Sequence, residues 1–499
     1  MKFTARRISR WLIPAFFALY ALTAQRGVAW QDCGLYQLRI AYRDLAGFFG
    51  AATAHPAYIR LAYAFSFLSG AFFNVEVPAA ANVFSSLCMA LAVGVLFLVA
   101  HEISGSRRGA LLASLTFGFA HCTWWLATIA ESYPLSVFLI GLEALLAIRI
   151  VKTGATAYRA LVLGACSGLG FATHNLSILS LPFVFAALVA SCRNRLGRGA
   201  PGAVLAPILF AASWFAFSDI RGRIALSGAA TPVAIATDIL FGNYAREVSG
   251  ASGAPFKVTI ANFVLMAFSL ALPCWAAGAA AIRRLCRRAP IQLPRSKPVR
   301  LVLALFAIHF LFLIRYRIAD QALFMLPTLF FACALLSCLL RKTAMPILLA
   351  ASTALCAIAV PLAANALLHR TPLQRRIVAS RARILPFRDE IRYWILPWKH
   401  DEYSAELFAA AAIDAMNRRP GAMLFADTTS APPVALRISS ADTAWRFFTP
   451  WSDLSRFAAD ATAGQPAFAV SAIPGYCPAK PLAAGAVQTL PIEITAAKR

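Results

Sequence analysis

Asp32, Glu131, His55, Tyr133, His174, Asn175, Arg315, Arg317 and Asp320 are the side chains of this 499-residue chain whose types and placement suit chemistry. A carboxylate that takes a proton, a second that orients a hydroxyl, imidazole, phenol and amide groups for a polyhydroxyl ligand, and guanidinium groups for an anion together make a group-transfer site. Each also has a plain reading. Asp32, in "WQDCGLYQL", precedes an amphipathic run and suits a helix N-cap, which from position alone is the better supported role. His55, in "AHPAYIRL", precedes Pro56, which biases it towards extended backbone and starts a helix. Glu131, in "HCTWWLATIAESYPL", is an acid among apolar residues that needs a partner, and the neighbouring tryptophans fit an interfacial belt. His174-Asn175 either hydrogen-bonds a sugar or phosphate or caps the next helix. Arg315, Arg317 and Asp320, in "RYRIADQALFMLP", either clamp a phosphate or pair with one another.

The elements that position these residues follow from hydropathy. Sixty per cent of the residues are hydrophobic and 14% charged, far from a soluble composition. Apolar runs of helical spanning length recur up to about residue 367. The expected spans are about eleven: 11–29, 79–101, 109–124, 133–150, 159–173, 176–191, 202–219, 258–282, 300–315, 322–340 and 344–367. Gly164 and Gly168 have small-xxx-small spacing, a packing device. Residues 368–499 hold 16 of the 47 Lys+Arg and 11 of the 21 Asp+Glu without a comparable apolar run. The expected architecture is therefore an all-α multi-pass domain, 1–367, followed by a small soluble α/β domain, 368–499.

The net charge of +26 is a topology signal and calls for no nucleic-acid partner. With the N-terminus in the cytoplasm, 21 basic residues fall in the inner segments and 10 in the outer ones, as the positive-inside rule requires. The candidate site residues then all lie outside, and so does the C-terminal domain. This assignment treats 57–73 as re-entrant or interfacial, and residues 35–49, with Leu35, Leu38, Tyr42, Leu45 and Phe49 near helical spacing, as a helix lying in the interface. The first span also reads as a signal peptide; either case leaves Asp32 outside. The eleven cysteines show no metal-like spacing.

Taken together, "DCG" after the first span, the His-Pro before an apolar helix, "NVFSSLCMALAVGVLFLVAHEISGSRRGALLASL", "WWLATIAESYPL", "GLGFATHNLSILSLP", "YRIADQALFMLP" and "LPFRDEIRYWILPWKHDEYSAELFAAAAIDAMNRRPGAMLFADTT" resemble the GT-C glycosyltransferases, in particular bacterial relatives of the protein O-mannosyltransferases. The resemblance implies a multi-pass enzyme of the bacterial inner membrane. Such an enzyme takes mannose or another hexose from a polyprenyl-phosphate donor and passes it, with inversion, to a protein or glycan hydroxyl on the outer, periplasmic face. It makes Asp32 the base and has Glu131, His55, His174, Asn175 and Asp320 line the site; Tyr133 is a further expected substrate contact, and Arg315 or Arg317 the expected clamp on the phosphate. Glu131 either orients the acceptor or holds a divalent metal with Asp32, and no other cofactor is expected. The chain departs from the family in having "HPAY" for "HPPG" and no Arg before Asn82. The rival readings are a flippase for a lipid-linked sugar, dependent on mid-span groups such as Glu143 and His309, and a non-catalytic envelope assembly subunit.

Overall fold

The computed structural model describes residues 4–45, 51–193, 200–228, 231–242, 296–316, 318, 321–341, 346–371, 385–417 and 423–438, with residues 260, 264 and 472 and strand segments between 445 and 492. The expected span at 258–282, apart from residues 260 and 264, and the site candidates Arg317 and Asp320 lie outside the described residues.

The chain is mostly helical: α1 (Ala5–Thr23), α2 (Gln31–Tyr42), α3 (Pro56–Phe73), α4 (Val77–Ser104), α5 (Arg107–Gly118), α6 (His121–Ala127), α7 (Tyr133–Thr153), α8 (Ala157–Thr173), α9 (Leu181–Arg193), α10 (Ala200–Ser218), α11 (Ile220–Ser227), α12 (Pro232–Leu240), α13 (Lys297–Arg315), α14 (Met325–Leu340), α15 (Pro346–His369), α16 (Glu390–Ile395), α17 (Ser404–Asn417) and α18 (Ala431–Arg437). Among the described residues five helices are individually long and apolar enough to cross a membrane, or six when α5 and α6, bent by 63°, count as one broken span. The protein is a multi-pass membrane protein. The expected helix at 176–191 is interrupted: Asn175–Leu179 form a 3-10 turn and α9 starts at Leu181.

The core is built on α4, whose apolar faces pack on α1, α5, α7 and α14. Close approach is secured by small residues. A side chain at Gly164 or Gly168 of α8 would run into the backbone of Ala206 or Phe210 on α10, which is the packing role their spacing suggests. The bundle has two unlike ends. At one, Glu102 pairs with Lys152 at 2.7 Å and Arg149 at 3.3 Å, and Ser106 donates to the Arg341 carbonyl at 3.3 Å. At the other, the Gln25 backbone N–H donates to Thr128 O at 2.9 Å and the rings of Tyr133 and Phe324 meet at 5.4 Å.

The C-terminal region contains a five-stranded sheet, order β2-β1-β3-β5-β4, made of β1 (Met423–Asp427), β2 (Trp445–Phe448), β3 (Ala467–Val470), β4 (Ala483–Ala484) and β5 (Val487–Ile492). β1 runs parallel to β2 and β3, and β3 parallel to β5, while β4 is antiparallel to β5. The segment before the sheet is built into the membrane bundle: Tyr393 belongs to its main apolar cluster, the Lys399 amide donates to Thr23 O at 2.8 Å, and Trp125 Nε1 donates to Tyr393 O at 3.2 Å.

One expectation about the first loop changes. α2 is not an amphipathic helix on a lipid surface. Its residues Cys33 to Ile40 are buried except for half-buried Tyr36, while Tyr42, expected in the apolar stripe, is exposed. It packs on α3 and α4 and is covered by α18. An apolar stripe at helical spacing does not distinguish lipid from protein as its apolar neighbour. α3 buries its first half and exposes Phe67, Leu68, Phe72 and Phe73 at its end.

Candidate functional site

Asp32 lies in the first turn of α2, exposed, where its charge suits the helix N-terminus. It is not the cap: Trp30 occupies that position and makes no side-chain cap bond. Between them Gln31 has φ 56°, a sparsely populated conformation for a residue with a side chain. A buried amide network holds this turn. Gln37 Oε1 accepts from the Ala29 N–H at 2.8 Å, and Gln37 Nε2 donates to Asn82 Oδ1 at 3.2 Å. Asn82 Nδ2 donates to Gln25 O at 2.7 Å, and Gln25 Nε2 to Val28 O at 2.8 Å.

Glu131, 5% exposed, comes to the same place from the start of α7. Its N–H donates to Ser85 Oγ at 3.1 Å, and the Cys33 thiol faces its Oε1 at 3.4 Å. Burial first, then the charges of Glu131 and Asp32, push the Cys33 thiol well up. Burial and then Glu131, with a smaller part from Asp32, do the same to the Tyr36 phenol. Both groups stay protonated, so the two carboxylates share a patch of neutral donors. Tyr36 Oη also lies 3.4 Å from Ser132 Oγ.

His55 is the N-cap of α3 at φ 46°, ψ 46°, left-handed rather than extended as Pro56 alone would favour. Tertiary contacts impose this. Its Nδ1 lies 2.9 Å from Thr173 O, and its ring stacks on His174 at 4.7 Å and 24°. Arg39 shapes the loop leading to it, donating to the carbonyls of Asp44 and Leu45, each at 3.2 Å, and of Ala54 at 2.5 Å. His174, at the C-terminal end of α8, accepts from the Leu176 N–H at 3.1 Å. Tyr133 meets the His174 ring at 4.9 Å. Burial holds both imidazoles neutral, His55 well below its ordinary value and His174 lowered to about 3.

The structure thus gathers Asp32, Glu131, His55, Tyr133 and His174 at one end of the bundle. Asn175 adjoins them, but its amide donates to Ile239 O and Leu240 O, each at 2.9 Å, and ties α12 to the site. Arg315 is the exposed last residue of α13, next to Tyr316, whose ring meets Phe324 at 4.9 Å. Glu143 and His309 are buried inside the bundle; a side chain at Gly170, one turn before His174, would meet Glu143 Oε1 at 3.2 Å. Among the described residues no group of three or more His, Cys, Asp or Glu is arranged to hold a metal ion.

Several positioning residues carry no chemical signature in the sequence. Gln25, Gln37 and Asn82 stand as uncharged amides beside or within apolar stretches, and that anomaly was their only mark. The C-terminal contribution had none. Val28 N–H donates to Glu406 Oε1 at 2.9 Å, and Arg437 bridges Glu406 and Glu76 with bonds of 2.8 Å. The Lys399 ammonium, pushed well down by burial, lies 4.9 Å from the Tyr393 ring and 5.5 Å from that of Trp125.

Residues 51–196 match the family model described as the protein O-mannosyl-transferase TMEM260 N-terminal domain. Over 91% of this chain and 88% of the other, the fold is similar to that of ArnT from Cupriavidus metallidurans bound to undecaprenyl phosphate, at 13% identity and a TM-score of 0.56. The apo state of the same protein gives 0.52 at 13% identity, over 87% of this chain and 86% of the other. No curated protein sequence matches the chain. The segment 51–196 thus resembles a protein O-mannosyl-transferase domain, and most of the chain has a fold like that of ArnT.

Proposed function

We propose that the chain transfers a hexose, mannose being the leading case, from a polyprenyl-phosphate donor to a hydroxyl of a protein or glycan at the periplasmic face of a bacterial inner membrane, with its N-terminus in the cytoplasm. The observation that carries this reading is the convergence of an exposed carboxylate, Asp32, with buried Glu131 and a neutral imidazole-phenol cluster at one end of a GT-C bundle. The structural neighbour ArnT, bound to undecaprenyl phosphate, supports a lipid-phosphate carrier.

In the proposed step the Asp32 carboxylate takes the acceptor hydroxyl proton as that oxygen forms a bond to the anomeric carbon. The bond from that carbon to the phosphate oxygen breaks, and the polyprenyl phosphate leaves with the electron pair as an anion. One displacement inverts the anomeric centre. Arg315, exposed at the rim, steadies the departing phosphate. Glu131 directs the acceptor hydroxyl, with the Tyr36 phenol as a neutral donor beside it.

Asp32→Asn tests the base. Asn keeps the side-chain volume and a polar oxygen at this exposed first-turn position, so the variant is expected to insert and unfold like the parent while transfer falls by about 10²–10⁴-fold, the usual contribution of a general base. Full activity in that variant sinks the assignment. Translocation of labelled carrier across liposomes with no glycosidic product would favour the flippase reading instead.

A further inference from the structure

We infer that His55 and His174 form a recognition pair for two neighbouring hydroxyl groups of an uncharged sugar, an inference that rests on the glycosyl-transfer reading of the same site. The hydrogen bonds fix complementary tautomers. His55 Nδ1 faces a carbonyl, Thr173 O, at 2.9 Å, so it carries the proton and donates, leaving Nε2 an acceptor. His174 Nδ1 accepts from the Leu176 N–H at 3.1 Å, so its proton is on Nε2, a donor.

Both residues are 8% exposed, yet among the described residues neither Nε2 has a hydrogen-bond partner and neither belongs to the fully enclosed unpartnered atoms. Both therefore reach open space. One acceptor and one donor on rings stacked 4.7 Å apart match a vicinal diol, in which one hydroxyl donates and its neighbour accepts. Tyr36 and Tyr133 flank the pair at 6.0 and 4.9 Å.

Charge narrows the class further. An anionic sugar needs a cation, and burial keeps both imidazoles neutral. An ammonium needs acceptors only, and half of this pair is a donor. A neutral hexose suits both atoms at once.

Asparagine separates recognition from architecture. In His174→Asn the side-chain oxygen still accepts from Leu176, and in His55→Asn the amide still donates to Thr173 while tolerating the left-handed backbone; each variant keeps the Nδ1 bond and loses the ring with its Nε2 atom. With the full chain in lipid nanodiscs and a polyprenyl-phosphate hexose as donor, each substitution is expected to raise the donor KM about tenfold or more, with kcat changed less than about threefold. A donor lacking one of the two ring hydroxyls should bind parent and variants alike. Unchanged KM in both variants overturns the inference while leaving glycosyl transfer intact, and so does a parent preference for a uronosyl or amino-sugar donor. A parent that transfers no sugar from any donor overturns both readings.

Discussion

The indole N–H of Trp30 donates to the Ser404 hydroxyl at 2.7 Å, joining the residue two positions before Asp32 to a helix 374 residues later in the chain. The Trp30 ring packs on Phe408 at 4.9 Å. The first loop is therefore held by the membrane bundle through the Gln37–Asn82 amides and by the C-terminal region through Trp30. Ser404→Ala leaves a buried indole N–H without its acceptor, at a cost of about 1–3 kcal/mol. We expect that loss to fall on the loop: faster hydrogen exchange over residues 27–34 and lower kcat, with the bundle helices protected as before. Exchange unchanged in that loop would show that the contact does not position Asp32.

Gly34→Ala tests the same packing from inside the helix. A methyl group at 34 would run into the Ala29 carbonyl and stand 3.0 Å from the Pro432 Cβ, and backbone on one side leaves it nowhere to go. Overpacking of this kind typically costs about 1–3 kcal/mol. The start of α2 should shift and transfer should fall by an order of magnitude or more. Gly105→Ala is the control: that glycine sits at φ 66° with nothing within 4 Å of the added carbon, so it should lose about 1 kcal/mol and little activity. Equal activity losses in the two variants would refute the packing argument.

Acid should loosen the C-terminal contact. Burial works against ionisation of Glu406, but the Arg437 hydrogen bonds and the Val28 amide outweigh it and hold the carboxyl below its ordinary value. A carboxyl lowered by folding stabilises fully above its ordinary value of about 4.3 and loses that contribution as pH falls through the lowered one. Protease susceptibility of the C-terminal region should rise below about pH 4 in the parent. Glu406→Gln should raise it already at neutral pH and flatten the acid response. An acid response identical in parent and variant would assign it to another group.

How far the site could be read from the sequence depended on where each residue's partners lie. Hydropathy and loop charge are local quantities, and they brought Asp32, His55, Glu131, Tyr133 and His174 to one side before any contact was known. Backbone state and side-chain engagement are set by distant residues. His55 is left-handed because Thr173 and His174 hold its ring. Asn175 spends its amide on carbonyls of α12, over 60 residues away. α2 is covered by a helix that begins at residue 431, so its amphipathic pattern was legible while the identity of its cover was not. The break at Asn175–Leu179 follows from His174 taking the Leu176 N–H onto its side chain, a choice hydropathy does not register.

Glu131 offers the sharpest separation of charge from shape. Its backbone N–H donates to Ser85 Oγ at 3.1 Å, and Ser85 Oγ lies 3.3 Å from its carbonyl, so the main chain stays anchored whatever the side chain carries. Glu131→Gln keeps the volume and an oxygen facing the Cys33 thiol while removing the charge. If the carboxylate orients the acceptor, kcat should drop by about 10²-fold, the lower range for a positioned acid–base group, with little change in donor KM. Thermal unfolding should stay close to that of the parent. Cys33→Ala provides the contrast, since the thiol is held neutral by burial and by both carboxylates and takes no part in the transfer. It should retain most of kcat. Should Cys33→Ala fall as far as Glu131→Gln, the packing around α2 rather than the charge of Glu131 would be what the reaction requires.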